Sequence, residues 1–178
     1  MSEKISKLIP EKELQDKVEE IAKKIAKDYH NKVIFVTILK GAKIFCSDLM
    51  DSIKKISDLK IENYFIKLSS YGNKTETSGK VKIEKDIEED LKGKDILIID
   101  DIVDTGITLS FLKKYLLETK KARSVKICCL LDKPSRREKE VKIDYKGFEV
   151  PNKFIVGYGI DYAEKYRELP YIGFLADK

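Results

Sequence analysis

The sequence predicts an α/β protein, a parallel β-sheet with helices on both faces. Three apolar runs carry that prediction. VIFVTIL (33–39), ILII (96–99) and SVKICCLL (124–131) are almost uninterrupted by polar residues, as expected of strands covered on both sides. Stretches of helical periodicity separate them, so strand and helix alternate. In such folds ligands bind beyond the carboxyl ends of the strands, where the strand order switches.

Each element follows in turn. In EKELQDKVEEIAKKIAKD, Leu14, Val18, Ile21 and Ile25 fall at helical spacing. His30, in KDYHNK, stands where that helix should end and reads as a favourable C-terminal charge. VIFVTIL is the first buried strand. After the turn LKGAK, IFCSDLMDSIKKI places Phe45, Leu49, Ile53 and Ile56 on one helical face. IENYFIKLSSY and VKIEKDI then read as two strands joined by the long polar loop GNKTETSG. ILII is the next strand, Leu109, Leu112 and Leu116 stripe the helix after it, and SVKICCLL is the third buried strand. FEVPN and KFIVGYGI add shorter strand-like pieces.

The totals bound the class. A chain of 178 residues without repeats or a Pro/Gly-rich linker predicts one domain, 1–178. No apolar run approaches the roughly 20 residues of a membrane span, and MSEKISKLIPEKELQDK lacks a signal-peptide core. A cytoplasmic protein with no membrane partner is expected. Cys46, Cys128 and Cys129 show no CxxC spacing and read as buried, reduced thiols, the adjacent pair pointing to opposite faces. A single histidine argues against a serine or cysteine triad and against a multi-histidine metal site. The net charge of +5 suits anionic ligands, but most charges intersperse on helix faces. KPSRREKEVK (133–142) is the best nucleic-acid candidate; without interleaved aromatics it reads as a solvated loop, and no nucleic-acid partner is expected.

The chemistry concentrates in ILIIDDIVDTGITLSFL (96–112). Asp100 and Asp101 close the ILII strand on the ligand-binding edge. Successive strand residues face opposite ways, so both reach one ligand only if the strand is already bending. Ionised carboxylates only accept hydrogen bonds, which suits vicinal sugar hydroxyls or a divalent cation such as Mg²⁺. In DTGIT, Gly106 permits a tight turn, Thr105 and Thr108 offer hydroxyls, and the helix that begins here points free amides at an anion. This is not a Walker loop, because no GxxxxGK[ST] is present. Acids for a ribose beside a nest for its 5′-phosphate describe a phosphorylated pentose. Two other readings of the pair stand beside this one. Acids before a Thr/Gly helix cap occur in α/β proteins with no ligand, and a phospho-accepting receiver domain also ends an apolar strand in an acid pair. In the receiver the pair opens the domain; here it lies mid-chain, and the next strand ends in DKP.

IIDDIVDTGITL resembles the phosphoribosyl diphosphate (PRPP) signature of purine phosphoribosyltransferases. LKGAKIF, SSYGNKTETSG, LLDKP, KFIVGYGIDY and AEKYRELPYIGFL follow in the order and spacing of the bacterial hypoxanthine–guanine branch, from about Ile5 to Leu175. The branch more often has Glu-Asp where this chain has Asp100-Asp101. The resemblance implies a type I phosphoribosyltransferase fold, with a small hood and a flexible antiparallel hairpin lid. It implies transfer of the phosphoribosyl group from PRPP to hypoxanthine or guanine, giving IMP or GMP and pyrophosphate, with Mg²⁺, in a homodimer or homotetramer. A regulator of the same fold that binds RNA and attenuates a nucleotide operon is the alternative. It would lack a purine pocket and show a concentrated basic face.

Residue by residue, the resemblance makes Asp104 the base that takes the purine's imidazole proton, where an N-capping aspartate is the ordinary role. Lys40 and Gly41 match the pyrophosphate loop, in which the family holds the Leu39–Lys40 peptide cis. Lys133 would point its ammonium at the purine 6-oxo group, which an amino group there would not satisfy. Phe154 would stack on the base, with the Ile155 and Val156 backbone beside its other edge. Asp161 would engage a second Mg²⁺ and Arg167 would clamp pyrophosphate. Ser70 and Tyr71 would close with their loop over PRPP as a lid. Asp100, Asp101 and Asp161 are thus the expected metal ligands, and Thr105, Gly106, Ile107 and Thr108 the expected phosphate nest.

Overall fold

The computed structural model describes residues 4–71 and 80–176, with only the backbone of Tyr71. In chain order the elements are β1 (Ile5–Ile9), α1 (Glu11–Asp28), β2 (Lys32–Ile38), α2 (Lys43–Ile56), β3 (Lys60–Tyr71) and β4 (Lys80–Lys85). They continue with β5 (Asp95–Val103), α3 (Ile107–Glu118), β6 (Ser124–Asp132), a 3₁₀ turn (Pro134–Arg136), β7 (Tyr145–Glu149), β8 (Ile155–Val156) and β9 (Ile172–Leu175).

The central sheet runs β4-β3-β2-β5-β6-β7. Strands β3, β2, β5, β6 and β7 are parallel, and β4 pairs antiparallel with β3 at one edge. The chain leaves β2 for β3 on one side, then crosses to β5 on the other. The order therefore switches between β2 and β5, so their carboxyl ends are where such a fold places a ligand. The expected antiparallel hairpin of β3 and β4 is present; its loop GNKTETSG lies outside the described residues.

Burial on both faces accounts for the unbroken apolar runs. Phe35, Leu97, Ile99 and Cys128 face α1 and α2, packing with Leu14, Val18, Ile21, Ile25, Phe45, Leu49 and Ile53. Ile34, Val36, Ile96, Ile98 and Cys129 face α3, packing with Leu109, Leu112 and Leu116. The period of two along a strand thus sends the adjacent cysteines to opposite faces, and all three thiols are free and buried. Each such aliphatic side chain, fully buried, contributes about 1.5–3 kcal/mol.

Several expectations are corrected. Ile56, the last residue of α2, is 49% exposed. His30 lies beyond α1, which ends at Asp28 with Lys27 as the basic residue of its last turn. KFIVGYGI gives only the two-residue β8, because Gly157, Tyr158 and Gly159 all take positive φ. A second sheet, β1-β9-β8, is antiparallel and forms the hood; Ile5 pairs with Leu175 and Ile155 with Phe174. No described helix is long and apolar enough to cross a membrane.

Candidate active site

The acid pair does not end β5. The strand continues to Val103, but only on the β6 side: Thr37↔Ile99 is the last β2 pairing, whereas Ile102↔Leu131 and Val103↔Asp132 continue on β6. Asp100 and Asp101 therefore sit where one neighbouring strand has stopped. The Asp101 N–H donates to Asp100 Oδ1 at 3.0 Å, so the two acids lie close together. Desolvation, then repulsion by Asp101, pushes the Asp100 carboxyl well above the usual carboxylate range. Burial also raises Asp101, against lowering by hydrogen bonds and by the nearby charge of Arg167.

Asp101 looks onto the turn between β2 and α2. A Cβ at Gly41 would lie 1.9 Å from Asp101 Oδ2, so only glycine admits the carboxylate here. The preceding Leu39–Lys40 peptide is cis. Lys40 is exposed, its ammonium 3.6 Å from Glu164.

Beyond β5, Asp104 is half-buried and accepts a hydrogen bond from Arg136 Nε at 3.1 Å. Thr105 precedes Gly106, whose φ of 82° turns the chain into α3 at Ile107 and Thr108. A Cβ at Gly106 would lie 2.2 Å from the Lys139 carbonyl oxygen. The segment 133–142 is largely solvated, as expected, with residues 134–136, 138–140 and 142 exposed; Lys133 and Arg137 are the charged exceptions. Arg137 is nearly buried and pairs with the buried Asp132 at the end of β6.

Lys133 is 9% exposed, and its ammonium donates to the Lys153 carbonyl oxygen at 2.9 Å. Desolvation lowers its pKa, against the raising effect of Asp104 nearby. Beside Lys153, Phe154 is 44% exposed, with Tyr162 edge-on at 5.1 Å between ring centroids. Ile155 is buried in β8. Asp161 and Arg167 pair at 3.0 Å, and Arg167 Nη1 donates to the Gly159 carbonyl oxygen at 2.8 Å. Glu164, which the sequence reading did not single out, also accepts from Arg167 at 3.4 Å. A Cβ at Gly159 would lie 2.6 Å from the Gly41 carbonyl oxygen, so this loop rests on the β2–α2 turn.

These contacts trace one ring. From Asp101 the path runs to Gly41, Gly159, Arg167 and Asp161; Tyr162 then meets Phe154, and Lys153 leads to Lys133. The backbone N–H of Lys133 donates to Val103, next to Asp104. Outside the ring, Ser70 is exposed on β3 opposite Val81. The loop expected to act as a lid lies outside the described residues, as does the Tyr71 side chain. The three expected metal ligands do not form one cluster among the described residues, and Asp161 is paired with Arg167.

Residues 8–163 match the family described as the phosphoribosyl transferase domain. The chain belongs to the phosphoribosyltransferase family. Among its relatives is the hypoxanthine-guanine phosphoribosyltransferase of Bacillus subtilis, 50% identical over 94% of this chain and 91% of that protein. The hypoxanthine phosphoribosyltransferase of Escherichia coli is 42% identical over 97% and 96%. A crystal structure of a hypoxanthine-guanine phosphoribosyltransferase from Bacillus anthracis superposes with a TM-score of 0.87 at 46% identity, covering 97% of this chain and 99% of that one. The mixed α/β architecture, with a parallel sheet flanked by helices, is that of the type I members of the family.

Proposed function

We infer that the chain transfers the 5-phosphoribosyl group from PRPP to hypoxanthine or guanine, forming IMP or GMP and pyrophosphate in purine salvage. The ring of contacts carries this reading. It gathers acids, an anion-binding helix start, a desolvated ammonium beside an exposed aromatic, and an arginine loop at the carboxyl ends of β2, β5 and β6. Those groups match, in order, a ribose, its 5′-phosphate, a 6-oxopurine and pyrophosphate.

In this reading Asp100 and Asp101 accept from the ribose hydroxyls, and the turn from Thr105 to Thr108 takes the 5′-phosphate. Phe154 stacks on the base while the Lys133 ammonium donates to its 6-oxo oxygen. Asp104 accepts the proton leaving the imidazole nitrogen. Arg167, with the Lys40–Gly41 turn, holds the departing pyrophosphate. Ser70 and Tyr71 belong to the lid that keeps water from the cationic sugar.

The residues fit Mg²⁺ as well. Asp100 is buried and Asp101 beside it partly so, and a cation would favour the ionised form of both. Among the described residues, no three His, Cys, Asp or Glu side chains form a cage. That suits an ion which takes one or two carboxylates and completes its shell with phosphate and water. Bound Mg²⁺ supplies neutralisation of the pyrophosphate charge; Asp161 is the candidate contact for a second ion. The same reading treats 1–178 as one domain, in a cytoplasmic homodimer or homotetramer.

Initial rates with hypoxanthine, guanine, xanthine and adenine, each with PRPP and Mg²⁺, test the assignment. Rates with hypoxanthine or guanine should far exceed those with adenine, and Asp104→Asn should lower turnover at least about tenfold with the fold intact. Wild-type turnover in that variant would remove Asp104 as the base, and RNA binding without purine turnover would favour the attenuator.

A further inference from the structure

The segment that follows β6 straps the turn that follows β5. It takes three successive carbonyl oxygens. Lys133 N–H donates to Val103 at 2.9 Å, Arg137 Nε to Asp104 at 3.2 Å, and the N–H groups of Glu138 and Lys139 to Thr105 at 2.9 and 3.0 Å. In a planar trans peptide the C=O and N–H point opposite ways. With these carbonyls turned to the strap, the N–H groups of Asp104, Thr105 and Gly106 are turned away from it. Three consecutive amides on one side make an anion-binding concavity continuous with the start of α3.

One bond in this set comes from a side chain. Arg137 reaches the Asp104 carbonyl with Nε while its Nη2 pairs with Asp132, and the two side chains are 11% and 8% exposed. Lys146 adds a contact to Asp132 at 3.4 Å. Asp132 is thereby committed to two cations, one from the strap and one from β7. The fit is close: a Cβ at Gly106 would also lie 3.0 Å from Arg137 Cδ.

We propose that Arg137, anchored by Asp132, is a positioning residue that aims the amides of the 104–106 turn at the 5′-phosphate. The proposal rests on the reading that this turn holds that phosphate. A guanidinium is needed because two of its nitrogens act at once. An ammonium can neutralise Asp132, but it offers no fixed fork to serve the Asp104 carbonyl as well.

Three variants test this. Arg137→Lys keeps the charge pair and so the fold. Arg137→Met removes both bonds, and Arg137→Met with Asp132→Asn removes them without leaving a bare buried carboxylate. The expected result is a KM for PRPP raised about tenfold or more in all three, least in Arg137→Lys. The KM for hypoxanthine should stay within about twofold, and Arg137→Lys should keep its urea midpoint. Equal rises in both KM values would mark a merely structural role and overturn the proposal. A soak of the wild type with IMP separates the two readings. Phosphate on residues 105–108 with unchanged PRPP KM in every variant overturns the strap alone, whereas phosphate elsewhere overturns the site reading and the strap with it.

Discussion

Gly41→Ala probes the contact that joins the acid pair to the proposed pyrophosphate turn. The added methyl would lie 1.9 Å from Asp101 Oδ2 and 2.8 Å from its Cγ. Ordinary contact begins near 3.4 Å, so methyl and oxygen must separate by a further 1.5 Å. The carboxylate cannot yield freely, because its Oδ1 accepts the Ile102 N–H at 2.9 Å. Overpacking of this kind costs about 1–3 kcal/mol, which lowers the urea midpoint by on the order of 1 M. Function should suffer more, since a shift of about 1 Å at a positioned group costs on the order of 100-fold. The assay pairs urea unfolding with initial rates at varied PRPP and fixed hypoxanthine. A variant with wild-type midpoint and wild-type kinetics would show that Asp101 does not press on this turn, and the ring of contacts would be broken at that point.

Lys133→Met removes the proposed donor to the 6-oxo group. A hydrogen bond from a charged donor contributes about 1.5–3 kcal/mol, so kcat/KM for hypoxanthine should fall roughly 10- to 150-fold, with no comparable loss for adenine. An unchanged ratio between the two bases would remove Lys133 from selectivity. Asp95 gives a pH test at the opposite end of β5, where Arg123 Nε and Ser124 Oγ donate to it at 2.9 and 2.7 Å. The Arg123 hydrogen bond holds the Asp95 carboxyl below its usual range, so its stabilisation is complete above the unfolded value and is lost as pH falls through the folded one. Asp95→Asn should cost roughly 1 kcal/mol at pH 7, with activity unchanged and the difference vanishing in acid. A constant offset between pH 7 and pH 2 would refute the linkage.

The strands and helices legible in the sequence are those whose burial leaves a period. Strands β2, β5 and β6 are covered on both sides and read as unbroken apolar runs; α1 and α3 carry a stripe every three or four residues. The hood was harder. Strands β1 and β9 are short and pair across nearly the whole chain, so neither shows its partner locally. The run of β5 past the acids was hidden because half its hydrogen bonding ends at Ile99 and only β6 carries it on. In the site, Asp100, Asp101 and the Thr/Gly turn stood out as polar residues against an apolar strand. Arg137 did not, because RREKEVK looks like a solvated charge run until Asp132 is known to be buried beneath it. An aspartate closing an apolar strand shortly before an arginine pair was the available signal.

Regular structure and local cost are unevenly distributed in this molecule. Several exceptions gather at the carboxyl ends of β2, β5 and β6, although others, such as the buried Tyr29 hydroxyl without a partner and the positive φ of Lys121, lie elsewhere. A buried and a partly buried acid sit side by side, and Gly41 and Gly106 have no room for a methyl. Positive φ recurs at Tyr158, Ala163, Glu164 and Tyr166 on the arginine loop. Strained backbone of this sort persists only where its surroundings over-determine it. Here they do: Tyr158 donates its hydroxyl to Asp48 of α2, Gly159 rests on Gly41, and Arg167 bonds back to Gly159. A ligand that brings hydroxyls and a cation to the acids, and phosphates to the turn and the arginine, would offset several of these costs together. A neutral nucleoside could satisfy the acids but would leave both anion-binding edges without a partner. The distribution of strain therefore favours a sugar phosphorylated at both ends, with the base meeting it between Phe154 and Lys133.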